Sequence, residues 1–458
     1  MKLSKVTAGL LACLLMLSAA TGCSQEPAAS SAAPSGPASS TEPSGSSEPA
    51  ASTGAPSLEG VTLRFVTANQ PCVEKTVQEN LGDFEAKTGA KVNMEVMGTD
   101  QFTNKVTVEL TAQTKSLDLF FLRPLNDMKL FDKNGWIADL NPYLKDDAEF
   151  DLGDYYESAL GSCTYNGKLY GIPMTAESQL VYYRKDIFEE KGIKFPETMD
   201  EMLAAAEKLT DKSNEFYGFV GRGKSNILVT QFSTYLRAFG GDFNSATESL
   251  IGTPEALEAV KFYGKLAGEY GPPGIINMSW PEAAALFGQG KAAMFADADA
   301  IYANVVDPSN STLTEDQIGF GLMPAGPAGR KPFYAVVGAY SISAFSEQKE
   351  AAAEFIKWAA SKEMDKKMMI ETANPGCRAS TWEDPEATAS WPAGLLETMV
   401  ASREVAVPGD RPTVINVTEA RDIISVPLLE AIQGKDPADA LKKANEDFQA
   451  LIDKENAG

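Results

Sequence analysis

The sequence predicts an α/β protein of two lobes with chain crossings between them, and three observations carry that expectation. From Val61 the chain alternates strand and helix in a βαβαβ rhythm, the pattern of a doubly wound parallel sheet. From Asn166 to Leu209 a turn, an apolar run and an alternating strand leave that unit and enter a new pair of helices. At 458 residues with 44% hydrophobic content, the chain is long enough for two or three separate cores.

In order, Val61–Thr67 alternates as a strand and leads through Gln70 into a helix near Val73–Thr88, which Gly89 ends. Lys91–Met97 is a second strand, Asp100–Thr114 a helix, and Leu117–Leu122 a buried type of strand. Ligands of such sheets sit beyond the strand carboxyl ends, which nominates Asn69, Gln70 and Arg123 by position alone. Asn126–Leu144 reads as helix, Gly135 turn and short helix, with Trp136 as packing. Asn166-Gly167 is a hairpin turn pair. Gln179–Tyr183 alternates as a strand that enters through the polar segment Thr175–Ser178, the first expected crossing. A charged helix at Asp186–Lys191 follows. Thr198 and Glu201 are spaced as a capping box, with Met202, Leu203, Ala206 and Leu209 along one helix face.

Phe216–Val220 is expected as a strand and Asn226–Phe239 as a helix, and the loop joining them runs from Gly218 to Ser225 with the Gly-x4-Gly-Lys-Ser spacing of a phosphate loop. That chemistry needs a nucleotide, magnesium and a second acidic strand end. No partner acid stands out, so a glycine-rich turn is the better reading. Thr253-Pro254-Glu255 and Ser279-Trp280-Pro281-Glu282 start further helices. Lys291–Phe295 is a strand leading to Asp297 and Asp299, and Ile318–Met323 and Tyr334–Phe345 are expected strands. Glu347–Lys362 is an amphipathic helix. Ser346 and Lys349 match a Ser-x-x-Lys pair but lack the accompanying motifs of serine acylation.

The first residues carry an address. Lys2 and Lys5 precede an apolar run, Val6–Ala20, that is short for a bilayer span. It ends in Ala-Ala-Thr-Gly-Cys23, read as a lipobox in which Cys23 is acylated; an ordinary secretory signal is the alternative. Ser24–Ser57 is Ser, Pro, Ala and Gly with few charges, expected as a disordered tether reaching about 30 Å. The formal net charge of −23 argues against nucleic acid as a partner. Three cysteines besides Cys23 remain after the signal, Cys72, Cys163 and Cys377; they are read as buried apolar side chains, with a pairing left open. The chain has no histidine, which removes Ser-His, Cys-His and His-metal chemistry.

The run from Gly167 to Met202, GKLYGIPMTAESQLVYYRKDIFEEKGIKFPETMDEM, resembles the signature of the family 1 extracellular solute-binding proteins. WPEAAALFGQGKAAM from Trp280, GFGLMPAGPAGR from Gly319 and the long stretch RPTVINVTEARDIISVPLLEAIQ from Arg411 extend the likeness over about residues 60–455. The resemblance implies a periplasmic-binding-protein-like (type II) α/β fold with a central cleft and hinge crossings. It implies a carbohydrate receptor of an ABC importer with no cofactor and no metal, a monomer that meets membrane permease subunits and touches the membrane through its lipid anchor only. Its place would be the outer face of the cytoplasmic membrane. The expected divisions are a signal at 1–22, a tether at 23–57, lobe 1 at 58–174, lobe 2 at 175–297, a lobe 1 return at 298–340 and a helical part of lobe 2 at 341–458.

Sugar receptors combine flat rings with bidentate hydrogen-bonding groups. The ring candidates are Trp280, either a stacking platform or a hydrophobic staple; Trp382; Tyr340, which stands where the family often has tryptophan; and Tyr182. Tyr182 and Tyr183 point opposite ways, and Trp391 is undecided. Arg378 is the candidate bidentate donor, Glu177 the acid that the family places at the crossing, Asp297 a hydroxyl acceptor, and Gln70 a strand-end amide. Two readings compete: a surface glycoside hydrolase, which needs a carboxylate pair that no stretch singles out, and a same-fold receptor for a peptide, metal or polyamine.

Overall fold

The computed structural model describes residues 57–457 except Pro71 and Asn310, so the expected signal, Cys23 and nearly all of the tether lie outside the described residues. β1 (Thr62–Ala68) pairs in parallel with β2 (Lys91–Met97) and with β3 (Leu119–Leu122). The helix between β1 and β2 opens with a wider π turn, Cys72–Gln78, continues as α-helix over Glu79–Thr88, and ends on Gly89 at φ 79°. The hairpin β4 (Thr164–Tyr165) and β5 (Lys168–Leu169) turns on Asn166 and Gly167, both at positive φ (51° and 76°), which Asn and Gly tolerate best.

The thirteen-residue β6 (Ile172–Arg184) is where the molecule divides. Its second half, Gln179–Arg184, pairs antiparallel with β7 (Met294–Ala298) and β8 (Ile318–Leu322). Its first half, Ile172–Ser178, pairs antiparallel with β9 (Phe333–Ile342), which also lies against β3. β10 (Val407–Pro408) runs parallel to the start of β9. One strand therefore belongs to two sheets and exchanges its partners between Ser178 and Gln179.

Apolar burial follows the same division. The first core gathers Phe65, Phe84, Phe120 and Ala176 with Phe355, Ile356 and Met368. The second gathers Val181, Met202, Phe232 and Tyr263 with Ile424 and Phe448, and a third packs Tyr182, Phe287 and Phe295 against Trp382 and Met399. These memberships differ from the expected lobe divisions. β8 stays with the second half of β6 and only β9 returns, while the helices Lys349–Ala359 and Lys362–Thr372 feed the first core rather than the second.

Local chemistry explains the elements that hold. Thr198 Oγ accepts from the Glu201 amide (3.2 Å) and the Glu201 carboxylate accepts from the Thr198 amide (3.0 Å), fixing the start of Met199–Leu209. Thr253, Pro254 and Glu255 begin Pro254–Tyr270 as expected. Phe216–Val220 makes isolated bridges instead of a named strand: Phe216 to Asp211, Tyr217 to Ala292 and Val220 to Phe295. The physical reason is Gly218, whose α-carbon lies so close to the Ala206 backbone that a Cβ would sit 2.0 Å from its carbonyl oxygen. The chain there is packing against a helix instead of completing a ladder.

Candidate functional site

A cavity of about 300 Å³ lies where β1 and β3 end and β6 changes sheets. Its lining includes Gln70, Phe121, Arg123, Asn126, Glu177, Val336, Val337 and Arg411. Each polar group arrives by a simple route. Gln70 follows the end of β1, and its carbonyl accepts from the Val73 and Glu74 amides of the next helix. Arg123 follows β3 ahead of the N1 proline of helix Pro124–Lys133, and its guanidinium is held by both oxygens of Asp127 at 2.8 Å. Asn126, on the first turn of that helix, accepts from Arg411 Nη1 at 2.9 Å. Arg411 enters from the loop after β10, and Asp410 binds its Nε and Nη2 at 2.5 and 2.7 Å.

Glu177 sits two residues before the partner exchange in β6 and accepts no hydrogen bond on its carboxylate from the described residues. Burial pushes its pKa up to about 7; Arg222 opposes this, and Asp299, Asp297 and Asp410 add to it. At Asp410, burial is outweighed by Arg411, Arg421 and the Thr230 hydroxyl, which hold the carboxyl well below the ordinary range. Burial and the neighbouring cations Arg411 and Arg222 bring Arg421 down to about 10. Glu177 therefore faces a dense set of charges, most of them already paired.

A second cavity, of about 390 Å³, is larger but more apolar, lined by Asp299, Tyr302, Val306, Trp391, Leu395 and Met399 among others. Ser178, the neighbour of Glu177, donates its amide to Asp299 at 3.1 Å. The second cavity therefore approaches the crossing strand through Asp299, and the first through Glu177 itself. Position at strand carboxyl ends and polar lining identify the smaller one as the candidate site.

The structure brings Gln70 and Glu177 together, with Arg123 beside them, and places the other expected contacts elsewhere. Arg378, expected to grip a ligand, has no exposed side-chain surface. It donates to the carbonyls of Ala360, Asp151 and Phe150, pairs with Asp154 at 3.2 Å and lies over the Tyr155 ring at 4.2 Å. Four of its five N–H groups serve the fold. Trp382 is buried with its Nε1 on the Gly376 carbonyl and the Arg403 guanidinium 4.0 Å over its ring. Tyr340 is buried in the first core beside Phe65, and Tyr182 is fully buried, donating its hydroxyl to the Ala298 carbonyl and stacking on Phe295. Neither ring has a face left for a sugar. Asp297 is likewise sealed: Arg222 takes both oxygens (2.9 and 2.5 Å) and Gln231 donates at 2.8 Å. Trp280 opens helix Trp280–Gly288, where Ser279 and Glu282 form a capping box, and packs partly against the third core outside the cavity lining.

Asn126 and Arg411 are the residues that sequence reasoning misses. The signal for Arg411 is faint: an acid, a base and Pro412 follow Gly409 in a short connection between elements. The glycine-rich turn is settled too. The Gly223 and Lys224 amides both donate to the Met278 carbonyl at 3.0 Å, and a Cβ at Gly223 would meet the Ile275 carbonyl at 2.3 Å. Those amides are spent within the fold. Ser346 donates its hydroxyl to Asp118, a structural role for the Ser-x-x-Lys pair. Cys72, Cys163 and Cys377 are free thiols, all buried.

Two α/β lobes sharing a crossing strand, with a polar cavity at the junction, define the class of cleft-type solute receptors. The sequence profile of the bacterial extracellular solute-binding proteins matches residues 71–366, and the chain belongs to that family. It is 29% identical to the mannitol-binding protein of Pseudomonas aeruginosa over 61% of this chain and 65% of that one, so the match spans less than two thirds of that relative. It is 28% identical to the erythritol/L-threitol-binding protein of Mycolicibacterium smegmatis over 66% of this chain and 67% of that one. Among solved structures, the ABC transporter solute-binding protein of Agrobacterium radiobacter in complex with ribitol is 30% identical, with a TM-score of 0.71, over 86% of this chain and all of that one.

Proposed function

We propose that this chain is the substrate-binding component of an ABC importer and that it captures a short polyol or a monosaccharide in the Glu177 cavity for delivery to a membrane permease. The observation that carries the reading is the lining itself: amide, guanidinium and carboxyl groups from Gln70, Asn126, Arg123, Arg411 and Glu177 around about 300 Å³. That volume lies at the small end of ligand sites, which run from about 300 to 1,000 Å³, and suits one short polyhydroxy molecule. The ring candidates Tyr182, Tyr340 and Trp382 are withdrawn into cores. A linear polyol lacks the flat C–H face that stacking requires, so a site built on hydrogen bonds favours it over a pyranose. The names of the relatives, which bind mannitol, erythritol or threitol, and ribitol, support the same choice.

Thermal melting of the full chain with ribitol, D-mannitol, erythritol and maltose tests this. At a hundredfold excess over Kd, a ligand that binds only the folded state adds about 2.7 kcal/mol, so a polyol raises Tm by several degrees and maltose does not. Failure of every polyol and sugar to move Tm contradicts the reading.

The membrane attachment belongs to the same proposal. Cys23 carries the lipid and Ser24–Ser57 spaces the receptor from the bilayer. C23A is expected to release the protein into the medium or periplasm; retention in the membrane fraction refutes the anchor.

A further inference from the structure

Two residues of the cavity wall, one a donor and one an acceptor, keep hydrogen-bonding capacity to spare. A guanidinium carries five N–H groups. Arg411 commits three of them, two to Asp410 and one to Asn126, which leaves two on a side chain that lines the cavity and is 19% exposed. Lining the same cavity, the Glu177 carboxyl receives no hydrogen bond from the described residues.

We propose that Arg411, locked in place by Asp410, is the residue that sets ligand specificity, its two free N–H groups clasping two adjacent hydroxyls of the ligand while Glu177 takes the proton of one of them in a hydrogen bond. This rests on the polyhydroxy reading above and names the feature that is read, a vicinal diol. Asp410 acts as a positioning residue. It is fully buried, binds the guanidinium through both oxygens, and has Arg421 behind it. The fork is thereby fixed before any ligand arrives, which lowers the ordering cost of binding.

Two other ligand chemistries are disfavoured by the same groups. A deoxy analogue leaves a charged donor in the cavity without a partner, a loss larger than that of a neutral hydrogen bond. A carboxylate would match the fork in shape, but the nearby carboxylates of Asp297, Asp299 and Asp410 oppose a further negative charge.

Calorimetric titration of the full chain with ribitol, the deoxy compound pentane-1,3,5-triol (which has no two adjacent hydroxyls) and ribonate tests the assignment. Ribitol is expected to bind, and the other two to bind at least about tenfold more weakly, in line with a hydrogen bond to a charged group. R411K should erase the preference for ribitol over the deoxy compound, because an ammonium is a point donor rather than a fork. D410N should likewise reduce the preference for ribitol over the deoxy compound, a loss of selectivity that a smaller folded fraction alone does not produce. Equal affinity of wild type for ribitol and the deoxy compound, tighter binding of ribonate, or an unchanged preference in R411K overturns the diol assignment alone. If ribitol, D-mannitol and erythritol all fail to bind the wild-type chain, the polyhydroxy reading falls and takes the assignment with it. Should R411K not fold, the wild-type ligand series decides by itself.

Discussion

Glu177 is a carboxyl near the partner exchange of β6 whose burial, with Asp299, Asp297 and Asp410 adding and Arg222 opposing, raises its pKa to about 7. Its ordinary value is 4.5, so between about pH 4.5 and 7 the folded state holds a proton that the unfolded state has lost. Stability from this group is thus present at low pH and declines as pH rises through that window. E177Q removes the titration, and its Tm in the absence of ligand, compared with wild type, should gain steadily from pH 4.5 to 7 and then level off. A constant difference across the range contradicts the assignment. The places of Glu177 and Gln70 at the cavity wall are legible because they follow from strand ends and a crossing, which are features of backbone topology. The burial of Arg378, Trp382, Tyr340 and Tyr182 is not. Residue type marks a side chain as able to bind a sugar, but Phe150, Tyr155 and Arg403 use the same ring and guanidinium chemistry to build the interior.

Among elements, β6 shows how much a local pattern conveys. Alternation from Gln179 and the polar entry through Thr175–Ser178 announce a strand that changes surroundings, and the pairing does switch there. The pattern is silent on which later strand returns. β8 and β9 are both short apolar runs, and only their partners separate them: β8 joins the second half of β6, whereas β9 joins β3 and the first half. The same holds for Lys349–Ala359, whose amphipathic face fits any core and is claimed by Phe65 and Phe84 through Phe355. The turn at Gly218–Ser225 is the converse case, a spacing with a known chemistry whose amides face the Met278 carbonyl instead of a phosphate. Spacing locates a glycine, and packing decides its use.

Over the whole molecule, polar side chains also link the two lobes away from the crossing strand. Lys133, on a helix of the first lobe, donates to the Glu455 carbonyl at 2.9 Å, and Lys129 lies 3.9 Å from the Glu455 carboxylate on the C-terminal helix of the second. The Asn126–Arg411 bond ties two residues of the cavity wall, and a ligand held between Glu177 and Arg411 as proposed would add to it. Family membership and the fold make the cleft the place for capture; the identity of the solute depends on what the cavity wall accepts. A crystal structure of the full chain with ribitol is the most direct measurement. It should show the polyol in the cavity of Gln70, Glu177 and Arg411, with oxygens in hydrogen-bond distance of the last two. Ribitol bound instead in the apolar cavity of Tyr302 and Trp391, or on the outer surface of either lobe, contradicts the account.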